Sequence, residues 1–455
     1  MDAIIRFNSA DIRGLTRLTL DAVEGLAQVA EALYHSINRS RVLPGSAQTE
    51  SMVHFAERFC HGIRNVSALA GDRLDALLAQ GMGLKLGIGF KKASTINSNQ
   101  PPLNEWQRSR RRETLLAALN GVLGDHLVNT RNPLAIPMRL RHRGHALTLE
   151  AQALAASFPQ PGSKVLVLVH GLCMNDLQWN QLATEHHTQQ PDKPFNTPIT
   201  QSDHYARLGY LPVRLHYNSG RHISTNGREF STLMDALIRN WPVPVEELVI
   251  VASSMGGLVA RSACHYGAIA GHRWLPHLRK LVFLGTPHHG APLERGGNWV
   301  DTTLSASRYT APLARFGKIR SAGITDLRYG NLLDEDWQGH DRFERGDHRK
   351  PVPLPVGVQC YAIAATASRQ PRDLGDRLRG DGLVPVDSAL GRHQEPARNL
   401  AIPPARQWIG YGINHLKILT QPAVQEQVWR WLVPPAETPA PDSDFVQPLQ
   451  EALRL

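Results

Sequence analysis

Leu248-Val249-Ile250-Val251-Ala252-Ser253-Ser254-Met255-Gly256-Gly257-Leu258-Val259-Ala260-Arg261 passes from a short apolar, β-branched run, through a serine and two glycines, into a helical pattern. A serine at such a break sits on a sharp strand-to-helix turn, a nucleophile elbow, which lifts its hydroxyl above the sheet edge. Small residues two before and two after it, here Ala252 and Gly256, let strand and helix approach closely. The usual form is G-x-S-x-G, so Ala252 departs from it by one methyl group. An ordinary strand-helix connection can carry the same five residues, so the reading depends on the rest of the chain.

Outward from this stretch the chain alternates buried-type strands with helical segments. Strands are expected at Val165 to Val169, Leu211 to Leu215, Glu247 to Val251, Lys280 to Leu284 and Val358 to Ala364. That alternation predicts an α/β fold whose mostly parallel sheet is covered by helices on both faces. Met138, Leu140, Leu147 and Leu149 alternate with polar residues around Gly144 and predict a β-hairpin ahead of the sheet. About seventy residues separate Leu284 from Val356, too many for a plain crossover, and Leu304, Tyr309, Leu313, Ile319, Ile324, Leu327 and Tyr329 within them suggest a helical cap.

Before the hairpin, apolar residues at helical spacing between about residues 10 and 80 predict at least two amphipathic helices, and a third is expected from Arg112 to Val128. The organisation expected is an N-terminal helical region over 1–130, an α/β domain over 135–432 with its insertion at about 291–352, and a Pro-rich tail over 433–455.

The 455 residues are 42% hydrophobic and 20% charged, an ordinary globular composition, and no apolar run approaches the roughly 18 to 20 residues that cross a bilayer. The first residues do not read as a signal peptide, and the expected location is cytoplasmic, with peripheral membrane contact as an option. Cys60, Cys173, Cys264 and Cys360 are scattered and are expected to be free thiols. The net charge is +10, and residues 1–150 hold 19 Lys and Arg against 13 Asp and Glu. Arg108-Ser109-Arg110-Arg111-Arg112 reads as a solvated helix start. Its functional alternative is contact with an anionic membrane surface rather than with nucleic acid.

Serine is a weak nucleophile at neutral pH and needs a base, an acid that orients the base, and donors for an oxyanion. In a sheet of this kind acid and histidine follow the serine in that order. Asp381, in the glycine-flanked loop Arg379-Gly380-Asp381-Gly382-Leu383-Val384-Pro385, is the expected acid, with Asp387 and Asp376 as competitors. His415, in Gly412-Ile413-Asn414-His415-Leu416, is the expected base. Backbone N–H groups of Met255 and of Leu172, the latter following His170-Gly171 after a strand, are the expected oxyanion donors. Neighbouring histidines on extended chain point to opposite faces, so His288-His289 and His186-His187 are not expected to share a metal ion. His288 is expected to shape the pocket floor beside the elbow.

Together, His170-Gly171, the stretch from Ser254 to Arg261, Gly285-Thr286-Pro287-His288-His289-Gly290, Asp381 to Pro385 and Asn414-His415-Leu416 resemble α/β-hydrolases of the lipase and GPI inositol-deacylase-like group. Tyr217-Asn218-Ser219-Gly220 also resembles bacterial members of that group. The resemblance covers about residues 135 to 432. It implies an esterase or lipase with Ser254, Asp381 and His415 in the three catalytic roles, Leu172 and Met255 as the hole, and His170, Gly171 and Gly256 around the elbow. No cofactor or metal is implied. The expected substrate is a lipid-like or medium-chain carboxylic ester; acyl transfer on the same residues and a non-catalytic binding protein are the alternatives.

Overall fold

The computed structural model describes residues 8, 10–18, 105–180, 205–291, 320–342, 344, 346–368 and 380–433. The helices expected between residues 19 and 80, His186-His187, Cys60, Asp376, residues 292–319 of the insertion and the tail beyond 433 lie outside them. Among the described residues eight strands form one sheet: β1 (Arg139–His142), β2 (His145–Ala146), β3 (Lys164–Val169), β4 (Tyr210–His216), β5 (Glu247–Ser253), β6 (Leu278–Leu284), β7 (Gln359–Thr366) and β8 (Gln407–Tyr411). Their spatial order is β2-β1-β4-β3-β5-β6-β7-β8. The pairs from β4 to β8 are parallel, and the β1–β2 hairpin joins β4 antiparallel. Its turn uses positive φ at both Arg143 and Gly144, the backbone hand that suits a tight hairpin.

Alternate side chains of the central strands enter two different cores. Val165, Val167 and Val169 of β3, with Leu248, Ile250 and Ala252 of β5, pack on one face. Leu166 and Leu168, with Val249 and Val251, pack on the other. This two-sided burial is why those strands read as unbroken apolar runs. On the first face lie the helices Ile223–Arg239, through Phe230, Met234 and Leu237, and Met255–Ala270, through Leu258, Val259 and Ala263. The helix Pro422–Leu432 closes the second with Val424, Val428 and Leu432.

β8 has no counterpart among the expected strands. Gln407–Tyr411 is a five-residue sheet-edge segment with only Gly410 buried, too short and too exposed to show the buried apolar run of the inner strands. The third helix runs Glu105–Asn129 and so begins seven residues before Arg112, placing the basic run inside it. Ala118 and Val122 of that helix belong to the same core cluster as the sheet, so it is packed into the α/β body. Residues 10–18 form a short helix tied to it by Arg112, whose Nε and Nη2 each lie 2.6 Å from a carboxylate oxygen of Asp11. Cys173, Cys264 and Cys360 are free thiols. No helix among the described residues is long and apolar enough to cross a membrane.

Candidate active site

The parallel register brings the carboxyl ends of neighbouring strands into one row, with Val169 opposite Ala252 and Ser253 opposite Leu284. Ser254 therefore stands between the loop that begins at His170 and the one that begins at Gly285. Its backbone is held at φ 52 and ψ −126, in a positive-φ region that costs a non-glycine residue about 1–3 kcal/mol. Two bonds hold this turn: Ser254 N–H donates to the Leu284 carbonyl at 2.8 Å, and Gly257 N–H donates to the Ser254 carbonyl at 3.0 Å. A Cβ on Gly256 would stand 2.5 Å from the His170 carbonyl oxygen and 2.8 Å from that of Val169, so only glycine permits this strand-helix approach. Ala252, by contrast, is fully buried in the helix-side core, which accommodates its extra methyl.

The loops that carry Asp381 and His415 are stitched to the end of β7 and to each other. Ile413 N–H donates to the Thr366 carbonyl at 3.0 Å, Ala367 N–H donates to that of Gly380 at 3.0 Å, and His415 N–H donates to that of Asp381 at 3.1 Å. These bonds bring together side chains 161 and 34 residues apart in sequence. His415 Nε2 lies 2.8 Å from Ser254 Oγ, and its Nδ1 lies 2.7 Å from Asp381 Oδ2. Asp381 is buried, whereas Asp387 sits in the first turn of the short helix Val386–Ala389, half exposed and 3.5 Å from Arg392.

Met255 opens the helix Met255–Ala270, so its N–H is one of the first-turn donors that no intrahelical carbonyl can satisfy. Gly171 presses against the serine, since a Cβ there would stand 3.0 Å from Ser254 Cβ. That contact sets the adjoining Leu172 beside the elbow. Sequence reasoning did not foresee how this loop is held. Tyr217 Oη donates to the His170 carbonyl at 2.8 Å, and its ring stacks on the His170 imidazole at 4.3 Å. Cys173 takes a positive φ of 58, and its N–H donates to Ser219 Oγ at 3.1 Å. Leu172 is thereby fixed on both sides by the Tyr217-Asn218-Ser219-Gly220 segment, whose four-residue pattern was its only signal in the sequence.

His170 is fully buried, and desolvation pushes its pKa down to about 3, with a smaller opposing effect from its Nδ1 contact to the Gly171 carbonyl. It stays neutral and serves the loop as a structural ring. His288 is also buried, its ring edge-on to Phe283 at 4.6 Å and its Nδ1 3.3 Å from Arg261 Nη1. Desolvation first, then the Arg261 charge, hold it well below the usual imidazole range. Its ring thus meets Phe283 and Arg261. Ile324 and Leu327 of the insertion are also core residues, so neither is offered to an acyl chain.

The sheet order, the helices on both faces and the sharp turn at Ser254 define an α/β-hydrolase fold. Residues 160–352 match the family described as the PGAP1-like alpha/beta domain. No curated protein matches the chain. Among solved structures it is similar to the mature lipase BlEst2 of Bacillus licheniformis, with 16% identity, 60% of this chain and 94% of that one covered, and a TM-score of 0.37. An esterase of Pyrococcus furiosus is similar at 15% identity, covering 60% and 82% of the two chains, with a TM-score of 0.34. A hyperthermophilic esterase of the archaeon Pyrobaculum calidifontis is similar at 12% identity, covering 71% and 90%, with a TM-score of 0.35.

Proposed function

We propose that the protein is a serine hydrolase of carboxylic esters, with lipid-like or medium-chain acyl groups as its substrates. The observation that carries this reading is the continuous relay from Ser254 Oγ through His415 Nε2 and Nδ1 to Asp381 Oδ2, with contacts of 2.8 and 2.7 Å. Ser254 Oγ attacks the acyl carbonyl as His415 Nε2 takes its proton, and the Asp381 carboxylate stabilises the imidazolium that forms. The N–H groups of Met255 and Leu172 receive the oxyanion. His415 then returns the proton to the departing alkoxide, leaving an acyl-Ser254 ester and a free alcohol. Water, deprotonated by the same nitrogen, attacks this ester and releases the acid.

None of these steps calls on a metal or cofactor. A fluorophosphonate probe on the full chain tests the nucleophile: labelling of the wild type that disappears in Ser254→Ala is expected, and labelling that survives the substitution would sink the assignment. Hydrolysis of p-nitrophenyl esters of rising acyl length reads the substrate class, with added alcohol separating hydrolysis from acyl transfer.

A further inference from the structure

The described part of the insertion carries a second group of chemistry-bearing side chains. His340, Glu344 and His348 each offer one ligand atom, and these three atoms lie within 4.8 Å of one another. All three side chains are exposed, at the rim of a concave surface also lined by His222, Asp326, Asp336 and Asp341. Their spacing of four residues would align them on a helix, but no helix is described over 340–348. Helical periodicity therefore does not account for their convergence.

Specific contacts of the loop do. Arg328 Nη1 donates to the Glu344 carbonyl at 3.1 Å, Gly346 N–H donates to Tyr329 Oη at 3.2 Å, and Glu344 N–H donates to the Asp341 carbonyl at 2.9 Å. Of the guanidiniums nearby, Arg328 donates to that carbonyl and Arg342 donates to Asp125 at 2.7 Å. His340 Nδ1 is 3.8 Å from Glu344 Oε2, and the imidazoles of His340 and His348 lie parallel with centroids 4.3 Å apart.

We propose that His340, Glu344 and His348 form a divalent-cation site of the zinc type, completed by water, that ties the two ends of the 340–348 loop to its middle. Two imidazoles with one carboxylate form a mixed nitrogen and oxygen set, which suits Zn²⁺, whereas Ca²⁺ and Mg²⁺ favour oxygen alone. Tetrahedral ligands at about 2.0–2.1 Å from zinc lie roughly 3.3 Å from one another, so the three atoms must close in by about 1.5 Å or less. The parallel rings must also turn, because one ion cannot lie in both ring planes. The terminal torsion of histidine is soft and these side chains are exposed, so the turn breaks only the stack between the two rings and moves no buried side chain.

The test uses the full chain stripped of metal with a chelator, then titrated with ZnCl₂ by calorimetry while thermal unfolding is followed. One zinc per chain and a raised Tm are expected. His340→Ala with His348→Ala, and separately Glu344→Gln, should each weaken zinc binding at least about tenfold, while a control at the exposed His145 leaves it unchanged. In the wild type, Co²⁺ should give the intense visible absorption of a four- or five-coordinate site. No zinc uptake, or uptake equal in wild type and both variants, overturns the proposal. The ligands are exposed, so the variants should unfold at the wild-type temperature without zinc, and fluorophosphonate labelling of Ser254 reports the hydrolase site separately.

Discussion

The two oxygens of Asp381 have separate tasks: Oδ2 lies 2.7 Å from His415 Nδ1, while Oδ1 accepts the backbone N–H groups of Leu383 at 3.0 Å and Val384 at 2.8 Å. The backbone bonds fix the carboxylate, so the histidine finds it already oriented.

Asp381→Asn keeps the shape but puts an amide at the imidazole and favours the wrong tautomer for proton transfer. Its kcat on a p-nitrophenyl ester should fall by about a thousandfold or more. Asp387→Asn, which alters a half-exposed carboxylate beside Arg392, should leave kcat within about twofold of wild type, since surface ion pairs contribute little. Equal losses in the two variants would refute the assignment of the acid.

Tyr217→Phe removes the donor to the His170 carbonyl but keeps the ring stacked on His170. A buried carbonyl left without that donor costs about 1–3 kcal/mol. Because this carbonyl anchors the loop bearing Leu172, the expected result is a fall in kcat of about tenfold with KM little changed. A variant that loses stability while keeping full kcat would show that Tyr217 does not position the oxyanion loop.

Gly256→Ala and Gly162→Ala form a matched pair. The added methyl meets carbonyl oxygens at 2.5 and 2.8 Å in the first case and nothing closer than 3.7 Å in the second. Overpacking of this kind costs about 1–3 kcal/mol, so denaturant titration should show that loss at Gly256 and almost none at Gly162. Ester turnover should fall with the first substitution only, because it displaces the His170 loop.

Stability should fall with acid below about pH 6.5. Burial depresses the folded pKa of His170 to about 3 and of His289 to about 4, and His288 also lies well below its ordinary value. Between those values and the unfolded imidazole pKa of about 6.5, the unfolded chain binds more protons, so unfolding free energy rises with pH. Each proton contributes a slope of at most about 1.4 kcal/mol per pH unit. Urea midpoints from pH 4 to 8 should show this slope, and His170→Asn should reduce it by about one proton.

Inner strands are legible from sequence because both their faces are buried, which leaves an apolar run such as Lys164–Val169 or Glu247–Ser253 whatever the neighbours are. β8 is not, since a short, half-exposed edge strand is defined by its partner β7 rather than by a buried apolar run of its own. Helix limits depend in the same way on packing, as the docked helix Glu105–Asn129 shows.

The sequence by itself determined the strand-helix alternation, the serine turn and the chain order of Ser254, Asp381 and His415. These are local signals, set by side-chain size, periodicity and the conformational freedom of glycine. Only the tertiary structure decided which groups meet. The parallel register and the bonds along β7 bring His415 to Ser254 and Asp381, Tyr217 braces the loop before Leu172, and His288 turns toward Arg261. His340, Glu344 and His348 converge where no helix aligns them. Such contacts join residues far apart in the chain or carried by irregular loops, so they depend on the closure of the whole fold and leave no periodic trace in the sequence.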